Sequence, residues 1–162
     1  MSRPALYDDD ILEWSEQQAD ALRRLARTRH DLSNELDWEH VAEEIEDVGR
    51  SELATVQSLT RQILIHLAKA VSVPDAQLRE GWRKEAANFH DELLDRFSPS
   101  MLGRIDAEKL WQRAMRRAEE DLAAHGQTLA PGLSRRCPLD VRQIVDPEFD
   151  FLKLAEDVQN QS

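Results

Sequence analysis

Residues Asp37 to Val73 carry one uninterrupted helical pattern with a carboxylate, Glu52, in the middle of its apolar stripe. Trp38, Val41, Ile45, Val48, Val56, Leu59, Ile63, Leu67 and Val71 recur mostly at steps of three or four, the spacing of one helix face. With Ile45 as origin and about 100° per residue, Glu52 falls roughly 20° from the stripe centre. A carboxylate facing inward is costly unless something neutralises it or hydrogen-bonds to it. At 1.5 Å per residue such a helix is about 55 Å long, whereas a domain of this chain length is roughly 40 Å across. The pattern therefore predicts either a kink near Gly49 or projection into a partner subunit. Its end, Ile63 to Ala68, is apolar nearly all round and is expected to be buried on several sides or in an interface.

The rest of the chain is helical too. Asp8 to Arg29 reads as a first helix, with acids at its start, arginines at its end and Gln18 inside the stripe Ile11, Trp14, Ala21, Leu22 and Leu25. Asp75 to Phe97 reads as a third helix. Asp106 to His125 reads as a fourth, with Gly126 as its stop. A short helix is predicted from Pro138 to about Val145. No stretch alternates with the period of a strand. The fold class is all-α, a bundle of four main helices plus a short C-terminal one. Residues 1–150 are read as one helical domain, and 151–162 as an acidic tail with at most a frayed turn.

Composition narrows the function classes. The 162 residues carry a net charge of −11, which opposes general nucleic-acid or anionic-membrane binding. Cys137 is the single cysteine, so no intrachain disulfide forms and no multi-thiol metal site exists. Met1 to Asp10 lacks a signal-peptide core, and no apolar run approaches the roughly 20 residues of a membrane span. A soluble cytoplasmic protein is expected.

Several motifs then carry a resemblance: Tyr7-Asp8-Asp9-Asp10 with Trp14 and Gln18-Ala19; Leu36-Asp37-Trp38-Glu39; and Ala42-Glu43-Glu44-Ile45-Glu46-Asp47-Val48-Gly49-Arg50-Ser51-Glu52. His66-Leu67, Trp82, Ser98-Pro99-Ser100 and Cys137-Pro138 follow in order. Over Tyr7 to Phe149 the chain resembles the bacterial domain-of-unknown-function 29 family. The resemblance implies an all-helical fold and no transferable activity. Phe89 and His90 depart from the pattern, which tends to have Gln-Arg there; a polar site built on that pair would be altered here.

The sharpest candidate for chemistry is a polar cluster within the bundle, formed by Gln18, Glu52, His66 and a neighbouring arginine such as Arg50. One reading makes it a ligand pocket; the other makes it a structural network in which Glu52 pairs with Arg50, Arg83 or Gln18. Glu52 and His66 lie about 21 Å apart along a straight helix, too far to share a metal. His40, Glu44 and Asp47 share a face, yet no Glu-x-x-His occurs, as a carboxylate-bridged di-metal bundle would require. No metal site is assigned and no cofactor is identified. Cys137 has no nameable base, and no Gly-rich phosphate loop exists. Arg113, Arg116 and Arg117, followed by Glu119, Glu120 and Asp121, read as a salt-bridged helix surface. No catalytic set is assigned.

Three functions follow. The first is a non-catalytic cytoplasmic interaction module that self-associates or binds another protein. The second is a small-molecule or metal-binding bundle, an enzyme in its strongest form, centred on Glu52 and Gln18. The third is an acidic protein that binds a basic partner.

Overall fold

The computed structural model describes residues 4–162. The helices are α1 (Pro4–Asp9), α2 (Ile11–Thr28), α3 (Trp38–Ser72), α4 (Ala76–Arg96), α5 (Ala107–Ala123), α6 (Val141–Ile144) and α7 (Phe151–Asn160). A 3-10 helix spans Pro99–Arg104, and no strand occurs among the described residues. The all-α expectation holds. The described residues group into two compact units: one from the start of the chain to Thr55 plus Phe97–Arg104, the other Val56–Arg96 plus Ile105–Ser162.

In the first unit, the expected single helix from Asp8 to Arg29 is broken at Asp10. This residue has an extended φ of −151° and caps α2, its carboxylate accepting from the Glu13 amide at 3.0 Å. Asp10 is only 5% exposed. It also accepts from the Ser100 amide at 2.8 Å and the Ser100 hydroxyl at 2.6 Å. The 3-10 helix is thereby tied to the start of α2.

The long central helix is one continuous α-helix of 35 residues and has no break at Gly49, where the sequence predicts a kink. Gly49 serves close approach instead. A Cβ there would lie 2.1 Å from Ser15 Oγ and 3.0 Å from the Leu12 Cα on α2. The face of α3 buried in this unit is centred on Ala42 and Gly49, rotated about 50° from the stripe centre inferred from the large apolar residues. Arg23 of α2 fixes that rotation by binding Glu39 and Glu46, each at 3.0 Å, two acids seven residues apart on one face. Val41 and Val48 consequently lie outside, 40% and 45% exposed.

In the second unit, every residue from Ile63 to Ala68 is buried, including His66, as the all-round apolar run predicts. In the same unit Leu93 of α4, Trp111, Ala114, Ala118 and Leu122 of α5, and Ile144 of α6 are buried as well. Acidic caps start the helices. Asp75 accepts from the Gln77 and Leu78 amides, Asp106 from Lys109, and Asp140 forms a capping box with Gln143. Gly126, at φ +70°, stops α5 in a left-handed conformation that favours glycine. The segment expected to fray carries α7, capped by Asp150, with Phe151, Leu154, Ala155 and Val158 buried. Its apolar residues at i, i+3, i+4 and i+7 supply a core-facing stripe despite the acidic composition.

Candidate functional site

Gln18, Arg50 and Glu52 belong to the first unit and His66 to the second. Gln18 and Glu52 are each half-buried; the 50° rotation of α3 moves Glu52 from the centre of the buried face to its edge. Arg50 is exposed and turns to Asp47 on its own helix, one turn back, rather than to Glu52.

His66 is held on both sides. Its Nδ1 contacts the Gln62 carbonyl oxygen at 2.7 Å and its Nε2 contacts Glu85 Oε2 at 2.5 Å. Both ring nitrogens thus face oxygen atoms, which leaves neither lone pair pointing at open space for a metal. Phe89 stands edge-on to the same ring at 5.6 Å between centroids. The adjacent His90 is 5% exposed and stacks on Phe149 at 4.3 Å, with its Nε2 unpartnered. Burial pushes its pKa below the usual 6.5; the backbone at Asp146 and Ile144 and the Asp91 and Asp146 carboxylates oppose that shift. Phe89 and His90, which break the polar pattern in sequence, are thus packing partners of His66 and Phe149.

Burial likewise raises the Cys137 thiol pKa, with a smaller opposing effect from the backbone at Leu139, and the protonated Sγ donates to the Leu139 carbonyl at 3.3 Å. A protonated, half-buried thiol is a poor nucleophile. Among the described residues no group of three or more His, Cys, Asp or Glu side chains is placed to hold a metal. No helix among them is long and apolar enough to cross a membrane.

Two surface features stand out. The first is a shoulder on α3 in the first unit. Val41 and Val48 lie seven residues apart on one face, Ile45 is half-buried between them, and Leu36 just before the helix is 51% exposed. Glu44, about 40–60° further round, borders the valines. Glu43 and Glu44 are exposed and make no ion pair among the described residues. Nothing in the spacing of apolar residues flagged the shoulder, because the same valines fit a core stripe equally well.

The second is a polar corner of the second unit between the later part of α3 and α5. Asp121 accepts from Lys69 Nζ at 3.3 Å and from Arg117 Nε at 3.0 Å. The Lys69 ammonium also sits 5.4 Å from the Trp82 ring centre, within cation–π range. A cleft of about 700 Å³ opens beside Trp82, Leu78, Leu122 and His125. The i,i+4 pair Arg117–Asp121 was readable in sequence; its junction with Lys69, 52 residues away, was not.

The family model "Domain of unknown function DUF29" matches residues 6–150. The chain is similar to an alpha-helical protein of unknown function from Rhodospirillum rubrum, known from a crystal structure. The two are 43% identical, the match covers 93% of this chain and 95% of the other, and the TM-score is 0.89. No curated protein matches. By the family model and by that fold, this all-helical chain belongs to the DUF29 family.

Proposed function

We propose that this protein is a non-catalytic helical interaction module whose α3 shoulder docks a basic amphipathic helix of a partner protein. The observation that carries this is the pair Val41 and Val48, exposed one above the other and bordered by Glu44. Two aligned apolar side chains on a helix, left out of the core by the close approach at Gly49, suit helix-in-groove recognition at i and i+7. The unpaired Glu44 at the border selects the partner's charge. A second copy is the weaker occupant, since two chains of net charge −11 would bring like-charged borders together. A cytoplasmic setting goes with this reading, because one cysteine offers no stabilising disulfide.

The test uses the full chain and a synthetic Leu/Lys amphipathic helix followed by fluorescence anisotropy. Binding should weaken as salt rises, and Val41→Glu with Val48→Glu should abolish it while the far-ultraviolet circular dichroism stays unchanged. A scrambled peptide that binds equally well would refute the reading. So would a dimer in sedimentation that the same double variant converts to monomer, since the occupant would then be a second copy.

A further inference from the structure

On the face of α3 beside the Lys69–Asp121–Arg117 junction, Arg61 and Ile65 are one turn apart, as are Gln62 and His66. On α5, Arg113 and Arg117 are likewise one turn apart. These residues and Asp121 line a pocket of about 300 Å³. Its charge is unbalanced: three guanidiniums face one carboxylate, formally +2, in a chain of net −11. Asp121 is moreover shared with Lys69, and Glu85 is engaged by His66.

Arg117 is held by Asp121, but the other two arginines are not consumed by structure. Arg113 is exposed and makes no hydrogen bond or ion pair among the described residues. Arg61 is half-buried, and its Nε is shut off from solvent with no partner. The Arg61 Nε–H thus lacks an acceptor on a side chain that lines the pocket. Three like charges in one pocket repel each other, and a dianion would relieve that. Arg forks match phosphate oxygens in pairs.

The wall decides what the dianion is attached to. Arg117 and Asp121 also line the cleft of about 700 Å³ beside Trp82, Leu78 and Leu122. Glu120 lies in that cleft and disfavours anionic charge there. We propose that Arg61, Arg113 and Arg117 hold the phosphate of an organic phosphate monoester, and that its aromatic or apolar part lies against Trp82 and Leu122 in the adjoining cleft. A phosphate monoester carries a charge near −2 at neutral pH, equal and opposite to the pocket's excess.

Isothermal titration calorimetry of the full chain with phenyl phosphate, inorganic phosphate and benzoate tests this. Phenyl phosphate should bind more tightly than the other two. Arg113→Met should weaken it about tenfold or more. Arg116→Met, on the same helix but outside the pocket, should leave it unchanged. Trp82→Ala should reduce phenyl phosphate to the affinity of inorganic phosphate. Equal losses in the two arginine variants would mean diffuse electrostatic attraction and overturn the site. Benzoate binding as tightly as phenyl phosphate would overturn the phosphate assignment, and no heat from any ligand would overturn the whole proposal.

Discussion

Gly49→Ala sets two effects of opposite sign against each other. An alanine inside an exposed helix is favoured over glycine by about 1 kcal/mol. Gly49 is not exposed. Its added Cβ would meet Ser15 Oγ at 2.1 Å, Leu12 Cα at 3.0 Å and Leu12 Cδ1 at 3.1 Å. The Ser15 hydroxyl can rotate away only by giving up its 2.9 Å hydrogen bond to the Leu12 carbonyl, a loss of about 1 kcal/mol. The Leu12 Cα is backbone and cannot rotate away, so α2 and α3 must separate. Overpacking of this kind costs roughly 1–3 kcal/mol, and here it adds to the lost hydrogen bond. The variant should end about 1–3 kcal/mol less stable than the parent, read as a lower urea midpoint at unchanged m-value. Removing the Ser15 hydroxyl removes the shortest contact, so Gly49→Ala with Ser15→Ala should recover about 1 kcal/mol relative to additivity. A Gly49→Ala protein as stable as the parent, or stabilised by the propensity gain alone, would refute the close-approach argument.

Asp10→Ala should cost roughly 3 kcal/mol in urea unfolding, because it removes a helix cap together with two hydrogen bonds from Ser100; Ser100→Ala should cost about a third of that. Equal costs would show that neither the cap nor the Ser100 amide bond contributes. His90 gives a pH dependence. Burial lowers its folded pKa below 6.5, so the unfolded chain binds more protons between the two values. That contribution to stability is full above pH 6.5 and falls as the pH drops below it. His90→Gln should flatten the slope of chemical-denaturation stability between pH 6.5 and 5, and an unchanged slope would assign the dependence to other groups.

The helices were readable in sequence wherever a cap or a stop has a chemical signature. Asp75, Asp106 and Asp140 open α4, α5 and α6, and the positive φ of Gly126 closes α5. The buried face of the first half of α3 was not readable. Hydrophobicity weights Val41, Ile45 and Val48, but the closest packing is made by Ala42 and Gly49, whose small size is the reason a neighbour can approach. That rotation takes Glu52 to the edge of the face and Arg50 to Asp47. The break at Asp10 was hidden inside three consecutive aspartates, of which only the third turns inward. α7 was masked by its acids, although Phe151, Leu154 and Val158 already had helical spacing. The Arg61 pocket depends on residues of α3 and α5 meeting, which spacing along one helix does not encode.

The bond from Asp10 to Ser100 spans 90 residues of chain and sets an order of events during synthesis. The first unit takes Phe97–Arg104 as an integral part, so it stays incomplete until the ribosome has added the 49 residues from Val56 to Arg104. At roughly 5–20 residues per second that is a wait of about 2–10 s. During it the buried Asp10 carboxylate remains hydrated and the capped start of α2 lacks its tie. A nascent chain stalled before Ser98 should therefore hold α2 and α3 as a loosely docked pair, open to proteases and chaperones. Addition of the seven residues from Ser98 to Arg104 closes the unit. The latest-arriving segment of the first unit, and not its amino-terminal helices, decides when that unit becomes resistant to cleavage.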